Sequence, residues 1–519
     1  MGENIRANNR AYGFKNPGLW IGLIAFFGIL IFADFAPENA SVTKMAAVAV
    51  LMAVWWISQA IPLAATALLP LMLFPLLGIM KGKDIAPAYV NYIIFLFVGG
   101  FLIALAMERW NLHRRIALRI ILAVGSKPSR LVLGFMLATA FLSMWISNTA
   151  TAIMMLAIAL AVINKTEEIF GKEESSNLSV ALLLGIAYSA SIGGISTLVG
   201  TPPNLALVRL FELSFPGAEA AGFEIGFGQW MLLGLPLTII LLSVTWLLLT
   251  RFLFRTPGDM ELPRHVIHDE YKSLGRMKFE EIVVMIVFSM TALLWIFRKN
   301  LILGSVTIPG WAEFLPFGGM IDDGTIAISM VLLLFLIPAR RKTAAGKNAH
   351  AILDGGVFAK IPWHIILLFG GGFALAKGFQ VSGLSIWVGS YFENLGDAPR
   401  PLIVAVITAT ITFLTELTSN VATTEMLLPL LASVAKSAGI HPLILMVPAA
   451  VAASCAFMMP VATPPNAIVF ASDRIRIGQM VKAGIIINLI SIVVITCVFL
   501  LIGPGVFGID PEAVPDWAR

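Results

Sequence analysis

The chain has 519 residues, of which 58% are hydrophobic and only 13% are charged, against roughly 25% charged residues in a soluble domain. Three or four water-soluble domains of this total length would need far more surface charge, so we interpret the chain as a membrane protein with many spans. The net charge of +5 comes mainly from Lys and Arg in short loops, which indicates membrane orientation rather than a nucleic-acid partner.

Eleven hydrophobic runs are long enough to cross a bilayer. They lie at 18–33, 44–60, 61–80, 89–107, 178–212, 229–250, 280–297, 322–339, 361–380, 442–470 and 479–503. No cleavage site follows the first run, so we expect an uncleaved span rather than a signal peptide. Two further stretches, 129–164 and 401–436, are hydrophobic around a polar centre and predict re-entrant hairpins. The predicted fold class is an all-α polytopic membrane protein.

Basic residues predict the orientation of the chain. With a cytoplasmic N-terminus, the segments on the inside hold 25 of the 35 Lys and Arg residues; they are 1–17, 108–130, 164–177, 251–278, 340–360 and 471–482. The positive-inside rule therefore favours a cytoplasmic N-terminus and an external C-terminus in a bacterial-type inner membrane. Segment 108–130 pairs a basic face with an apolar one, which predicts an interfacial helix.

Three short motifs occur twice in the same order. Gly99-Gly100-Phe101 recurs as Gly371-Gly372-Phe373, and SNTAT at 147–151 recurs as SNVAT at 419–423, both with an offset of 272 residues. The motif TPPN occurs at 201–204 and 463–466. Five predicted crossings separate the copies, so the second copy is inverted, as in secondary transporters with inverted repeats. We expect the glycine pairs to be sites of close helix packing.

The repeated motifs interrupt hydrophobic segments. The two prolines of TPPN remove backbone donors and break the helix, while Thr463 can cap a new helix that starts at Pro464. In the hairpins, Ser and Asn of the repeated clusters can cap the returning arm. Four half-helix N-termini can therefore converge near the middle of the membrane, where such ends bind carboxylate or phosphate without Arg or Lys.

The same interruptions expose backbone carbonyls, which together with Ser, Thr and Asn oxygens form neutral cages that suit Na⁺. Ser143 and Thr415 correspond under the repeat, and each places a hydroxyl one turn before its polar cluster. We expect two related cation sites and two or more Na⁺ per transport cycle. The alternative is that each hydroxyl bonds only its own helix backbone.

An ionisable residue within a hydrophobic segment is a candidate functional group, because a charge is costly there. Glu416 can hold the second cation or pair with a neighbouring donor, Glu425 has a functional or a structural role, and Lys377 is expected to reach the interface or pair. The six histidines show no HExxH arrangement, and both cysteines lie in hydrophobic runs. We therefore expect no enzyme activity and no organic cofactor.

The paired SNTAT, SNVAT and TPPN motifs resemble those of the divalent anion/sodium symporter family of di- and tricarboxylate transporters, over essentially the whole chain. The resemblance implies a first sodium site formed by Ser143, Ser147, Asn148 and Gly200, and a second formed by Thr415, Thr418, Asn420 and Ala462. The implied contacts for substrate carboxylates are Ser147, Asn148, Thr149, Thr201, Pro202, Ser419, Asn420, Thr463 and Pro464. Val421 replaces the Thr of the full motif and cannot donate a hydrogen bond.

The resemblance also implies a homodimer of protomers with two domains, one of which moves like an elevator. The scaffold domain would comprise 1–125, with spans 1–4 and the interfacial helix, and 256–398, with spans 7–9. The transport domain would comprise 126–255, with the inner hairpin, broken span 5 and span 6, and 399–519, with the outer hairpin, broken span 10 and span 11.

The function that we predict is sodium-coupled uptake of a C4-dicarboxylate such as succinate, malate or fumarate. Its partners are this substrate, sodium ions and membrane lipid. The alternatives on the same fold are a sodium-independent dicarboxylate exchanger and a citrate or sulfate transporter. An anion channel and an intramembrane enzyme are less favoured. A channel would show voltage-driven current without counter-transport, and an enzyme would need a nucleophile and a base that the sequence does not place.

Overall fold

The computed structural model describes residues 13–125, 127–256, 264–303, 306–340 and 350–518, and these are almost entirely helical. The first half of the chain forms α1 Pro17–Phe32, α2 Ala40–Ser58, α3 Leu63–Thr66, α4 Leu69–Leu77, α5 Gly82–Ile85, α6 Tyr92–Arg109, α7 Leu112–Val124, α8 Pro128–Ser143, α9 Asn148–Phe170, α10 Lys172–Gly194, α11 Pro202–Ser214, α12 Gly217–Ala220 and α13 Phe227–Leu247. Parts of the basic segments 1–17, 251–278 and 340–360 lie outside the described residues.

The second half forms α14 Arg264–Ser273, α15 Phe279–Ile296, α16 Asp323–Leu336, α17 Trp363–Ser382, α18 Leu384–Ser390, α19 Arg400–Thr415, α20 Asn420–Ser437, α21 Pro442–Ala453, α22 Pro464–Phe470 and α23 Ile477–Phe507. A π-helical turn, Leu248–Leu253, extends α13. Two short antiparallel strands, β1 Leu301–Leu303 and β2 Val306–Ile308, pair Leu301 with Ile308.

The described helices confirm a polytopic all-α membrane protein. Eight are long and apolar enough to span a membrane, and shorter apolar helices account for the remaining hydrophobic runs. Non-helical interruptions at 144–147 and 416–419, where the two polar clusters begin, separate α8 from α9 and α19 from α20, which confirms both predicted hairpins. The helix breaks predicted before the two TPPN motifs are also present, between α10 and α11 and between α21 and α22.

Two predicted boundaries are wrong. The run 61–80 is no continuous span, because it folds as α3 and α4; Pro70 lacks the N–H that would bond to Thr66 and carry one helix into the next. The predicted ends of the hairpin at 164 and of the next span at 178 also differ, because α9 and α10 extend through segment 164–177 and meet at the single residue Gly171. Its φ of +87° gives a sharp turn that a residue with a side chain rarely adopts.

The glycine pairs are packing sites, as the sequence predicts. A Cβ added to Gly99 would lie 2.4 Å from the side chain of Ala327 on α16, and one added to Gly371 would lie 2.6 Å from that of Ala67. Helices approach this closely only where no side chain intervenes.

Contacts between loops place the predicted segments on two sides of the molecule. On the side that we call the basic side, Arg115 of α7 binds Glu281 at 2.8 Å and Arg109 binds Asp354 at 2.6 Å. Arg115 also donates to the backbone carbonyl of Gly275 at 2.9 Å, so these contacts join segments 108–130, 251–278 and 340–360.

On the opposite side, Arg298 contacts Glu224 at 2.6 Å and Asp323 at 2.5 Å. The ring of Trp517, in the C-terminal tail, packs against Phe223 and His441 on the same side. The tail therefore lies with the loops that the sequence predicts to be external, which agrees with an odd number of crossings between the two termini.

Candidate functional site

A cavity of about 730 Å³ lies where the two repeats meet, within the range of small-molecule sites. Both hairpin tips and both helix breaks form part of its wall. The predicted site residues that line it are Ser147, Asn148, Thr149, Gly200, Thr201, Pro202, Thr418, Ser419, Asn420, Ala462, Thr463 and Pro464. Ser143 and Thr415 lie behind the tips and are fully buried.

The cavity is built to receive an anion without a cationic side chain. None of the described residues that line it is Lys, Arg, Asp or Glu, and His364 is the one titratable residue among them. Instead, the N-termini of α9, α11, α20 and α22 all reach the wall. The first turns of α9 and α20 carry N–H groups without helical partners, whereas α11 and α22 each begin with two prolines and contribute the partial positive charge of their N-terminal ends; both features stabilise a carboxylate.

The caps of these four helices differ. Ser147 Oγ accepts from the backbone N–H of Ala150 at 3.2 Å, and Thr463 Oγ1 accepts from that of Asn466 at 3.4 Å, so both predicted side-chain caps are confirmed. The expected cap by Ser419 is wrong, because its side chain makes no capping hydrogen bond. Ser419 has an extended backbone conformation there, and its carbonyl, rather than its hydroxyl, accepts from Thr423.

The first predicted sodium site places more acceptor oxygens close together than its hydroxyl proton can bond. Ser143 Oγ lies 2.5 Å from Asn148 Oδ1 and 2.7 Å from the carbonyl oxygen of Ala190, yet one hydroxyl proton serves only one acceptor. A Cβ on Gly194 would lie 2.9 Å from Asn148 Oδ1 and 3.1 Å from the carbonyl oxygen of Gly200. The glycine thus lets the helix break approach the hairpin tip.

The second predicted site repeats this arrangement. Thr415 Oγ1 lies 2.9 Å from Asn420 Oδ1 and 2.9 Å from the carbonyl oxygen of Ala453. Thr418, in contrast, donates to Leu414 of its own helix at 3.1 Å, which is the alternative use of a hydroxyl that the sequence left open. Because the hydroxyl–amide–carbonyl cluster occurs in both repeats, its oxygens fit a small cation such as Na⁺ at two related positions.

The asparagines of the two TPPN motifs stabilise the helix breaks through hydrogen bonds to the backbone. Sequence reasoning missed this role. Their side-chain N–H groups donate to backbone carbonyls of the unwound segments, at Gly194, Ile195 and Thr197 for Asn204 and at Ala456 and Met459 for Asn466. Their Oδ1 atoms are buried without a hydrogen-bond partner. Gly194 and Ala456 lie 262 residues apart, which is also the distance between the two TPPN motifs. This correspondence is the sequence signal that could have revealed the shared role of the two asparagines.

Glu416 pairs with donors instead of facing the cavity. Its carboxylate accepts backbone N–H groups from Phe457 at 2.6 Å, Met458 at 2.8 Å and Met459 at 2.9 Å, and the side chain of Asn488 at 2.7 Å. Of the two roles that the sequence allowed, the structure supports pairing. The first repeat has Met144 at this position, so only the second helix break is held by a carboxylate.

The remaining wall of the cavity comes from helices outside the repeated hairpins and breaks. Sequence reasoning missed these residues because they are mostly apolar and, apart from Phe101 of the glycine motif, belong to no motif; they are Gln59, Pro62, Phe97, Phe101, Ala104, His364 and Leu368, among others. Those from α6 lie in its middle and C-terminal half, and those from α17 lie near its N-terminus. Both helix ends are on the basic side, so the cavity opens to that side.

The opposite side is closed by polar contacts between the same two groups of helices. The hydroxyl of Tyr92, at the start of α6, donates to Glu212 of α11, while Arg298 and Lys299 bind Glu224. Burial opposes ionisation of Glu224, but the two cations outweigh it and lower the pKa of this carboxyl. The contacts of Glu224 with Arg298 and Lys299 are therefore ion pairs at neutral pH.

Comparison with known proteins shows the family to which the chain belongs. Residues 18–508 match the family model described as the sodium:sulfate symporter transmembrane region. A "Sodium-dependent dicarboxylate transporter SdcS" of Staphylococcus saprophyticus is 43% identical over 518 residues, which cover 97% of this chain and 95% of that protein. The chain belongs to the divalent anion/sodium symporter family. A protein of the same name from Staphylococcus aureus is also 43% identical, over 95% of this chain and 92% of its own length.

Two solved transporters share the fold of this family member at low sequence identity. The MtrF efflux pump of Neisseria gonorrhoeae superposes with a TM-score of 0.55 at 12% identity, over 89% of this chain and 94% of that one. The YdaH transporter of Alcanivorax borkumensis superposes with a TM-score of 0.52 at 12% identity, over 81% and 86% of the two chains. This likeness concerns the fold alone.

Proposed function

We propose that this protein is a sodium-coupled symporter of C4-dicarboxylates such as succinate, malate and fumarate. One observation carries the proposal: four helix N-termini and two matched oxygen clusters meet at one cavity that has no Lys or Arg among its described lining residues. The helix ends suit the carboxylates, and the oxygen clusters suit the cations that neutralise them. Two relatives named as sodium-dependent dicarboxylate transporters support the choice of substrate.

The residues named for the substrate and sodium sites are part of the same proposal. Asn148 and Asn420 each face the cavity and also contact the buried hydroxyl of Ser143 or Thr415. A side chain in this position contacts substrate and cation together, which makes binding of one favour binding of the other. Asn148→Ala and Asn420→Ala should each weaken the binding of both succinate and Na⁺.

Transport requires the site to open alternately to the two sides. We infer that α8–α13 and α19–α23 form the moving transport domain and that α1–α7 and α14–α18 form the scaffold. Packing supports the division, because α10 contacts α8 and α22, α11 contacts α21, and α13 contacts α23, while α6 and α15 pack on α16. Opening of the opposite side then requires the Tyr92–Glu212 and Arg298–Glu224 contacts to break.

We infer that the basic side is cytoplasmic, since it carries most Lys and Arg residues. The structure then corresponds to an inward-facing conformation in the plasma membrane, with the C-terminal tail outside. Membership of the family supports a homodimer. It also supports a transporter rather than an enzyme, because both relatives are named as transporters.

The decisive experiment is uptake of radiolabelled succinate into proteoliposomes. Uptake should require external Na⁺ and fall to background when choline replaces it. Equal uptake in choline that is accelerated by succinate preloaded inside would identify a sodium-independent exchanger instead. Competition by malate, fumarate, citrate and sulfate then ranks the substrates.

Alternating access has its own test. Cross-linking of cysteines introduced by Tyr92→Cys and Glu212→Cys with a cleavable bifunctional thiol reagent, which spans more than the roughly 4.4–6.8 Å between Cα atoms that a direct disulfide allows, should stop transport while it holds the opposite side closed, and cleavage of the reagent should restore it. The single substitutions, treated in the same way, are the matched controls. Full transport by quantitatively cross-linked protein would refute the proposed movement.

A further inference from the structure

Glu425, in the second turn of α20, is a carboxyl group that the proposed cycle does not use. Its side chain is fully buried, and neither carboxyl oxygen has a hydrogen-bond partner among the described residues. The corresponding position in the first repeat is Ile153, which is 56% exposed. The group is therefore particular to the second repeat.

The carboxyl group lies directly on the backbone of α17. A Cβ added to Gly372 would be 1.8 Å from Glu425 Oε2 and 2.6 Å from Glu425 Cβ. No ion or water fits between the two helices at this point. Because α20 belongs to the inferred transport domain and α17 to the scaffold, the carboxyl group is enclosed at the surface along which the two would slide.

No counter-charge compensates this carboxyl group. The helices packed against α20 are α2, α11, α17, α18, α19 and α21, and their charged or titratable residues are Lys44, Arg209, Glu212, His364, Lys377 and Arg400, with Lys436 on α20 itself.

These groups are engaged elsewhere or lie far along the helices. Arg209 binds Glu212, Lys377 donates to the carbonyl of Asp84 at 2.7 Å, and Arg400 pairs with Glu512. His364 is exposed eight residues before Gly372, and Lys436 is exposed eleven residues after Glu425, about 12 and 16 Å along their helix axes. Lys44 forms no ion pair with Glu425.

We propose that Glu425 is a proton-binding site, and that it must hold its proton for α20 to pack against α17 as it does here. An ionised carboxylate without a donor is far more costly to bury than a neutral acid. Since sliding separates Glu425 from Gly372, the carboxyl group can exchange its proton only in other conformations. Higher pH then disfavours the conformation described here, because the unprotonated carboxylate cannot enter it.

Infrared spectroscopy of the purified full-length protein tests the proton directly. At about pH 8, well above the ordinary range for a carboxyl group, the wild type should show the C=O stretch of a protonated carboxylic acid. Glu425→Gln should lack this band, and Glu425→Asp should shift it. Glu393→Gln, at an exposed position in the turn before α19, is the matched control and should retain it.

Absence of the acid band in folded wild type, or its persistence in Glu425→Gln, would overturn the proposal. A carboxylate band that changes with Na⁺ would identify a cation site instead and would also overturn it. Thermal unfolding verifies folding, and if Glu425→Gln does not fold, the pH titration of the wild-type band together with Glu425→Asp decides.

The consequence for transport rests on the proposed function and is tested separately. At saturating Na⁺ and succinate, exchange by the wild type should slow with rising pH, by up to about tenfold per pH unit, while Glu425→Gln should give a flat profile. Identical profiles would overturn the linkage. If the wild type shows no Na⁺-dependent succinate uptake at any pH, the proposed function fails, whereas the infrared result remains interpretable.

Discussion

The carboxylate of Glu416 offers a sensitive test of how the second helix break supports its cation site. Glu416→Gln keeps the shape of the side chain but replaces one oxygen with an NH₂ group. Oε1 accepts three of the four hydrogen bonds and Oε2 accepts the one from Met459. The amide will therefore place its oxygen at Oε1 and face the N–H of Met459 with a second donor.

The magnitude follows from these four bonds. A hydrogen bond to a charged group contributes about 1.5–3 kcal/mol and a neutral one about 0.5–1.5, so one bond is lost and three are weakened by about 1 kcal/mol each. Glu416→Gln also removes the desolvation penalty of a buried charge, which offsets several kcal/mol of this loss. We expect a net cost of about 1.5–3 kcal/mol. Met459 also accepts the N–H of Ala462 at 3.2 Å, so the cost reaches the backbone of the second sodium site.

At 1.4 kcal/mol per factor of ten, this cost corresponds to a rise of about 10- to 100-fold in the Na⁺ concentration for half-maximal succinate uptake. The succinate dependence at saturating Na⁺ should change little. Glu313→Gln, in a loop on the opposite side, is the control for the same chemical change. If Glu416→Gln is folded by thermal unfolding and its Na⁺ dependence equals that of the wild type, Glu416 does not support the site.

Three further predictions concern the tips and the opposite side. Ser143→Ala combined with Thr415→Ala should raise the Na⁺ requirement of uptake, and an unchanged requirement would remove both hydroxyls from the cation sites. Thr149→Val should weaken succinate competition by about tenfold while Val421→Thr is neutral or mildly favourable; the reverse order would place the carboxylates elsewhere. Because the pKa of Glu224 is lowered, its contacts stabilise the protein at neutral pH and are lost as the pH falls through that pKa. Glu224→Gln should therefore be less thermally stable than the wild type at neutral pH and equally stable in acid. A difference that persists in acid would contradict the ion pair.

The sequence alone determined the membrane class, the hairpins, the helix breaks and the site motifs. Hydrophobic runs and prolines predict helices and helix breaks from local sequence alone, because a backbone group without a hydrogen-bond partner is unfavourable at any position in lipid. The internal repeat predicted the location of the site. The matching motifs SNTAT and SNVAT predicted that two distant segments meet, and both line one cavity.

Only the tertiary structure decided what the ionisable residues do. Glu416 and Glu425 lie nine residues apart in the same hairpin, and the sequence assigns both to hydrophobic surroundings without distinguishing them. Packing gives Glu416 four donors and leaves Glu425 none. The partners come from residues 457–459 and 488, far along the chain, so no local pattern could reveal them. The role of a buried charge depends on which groups the fold brings to it.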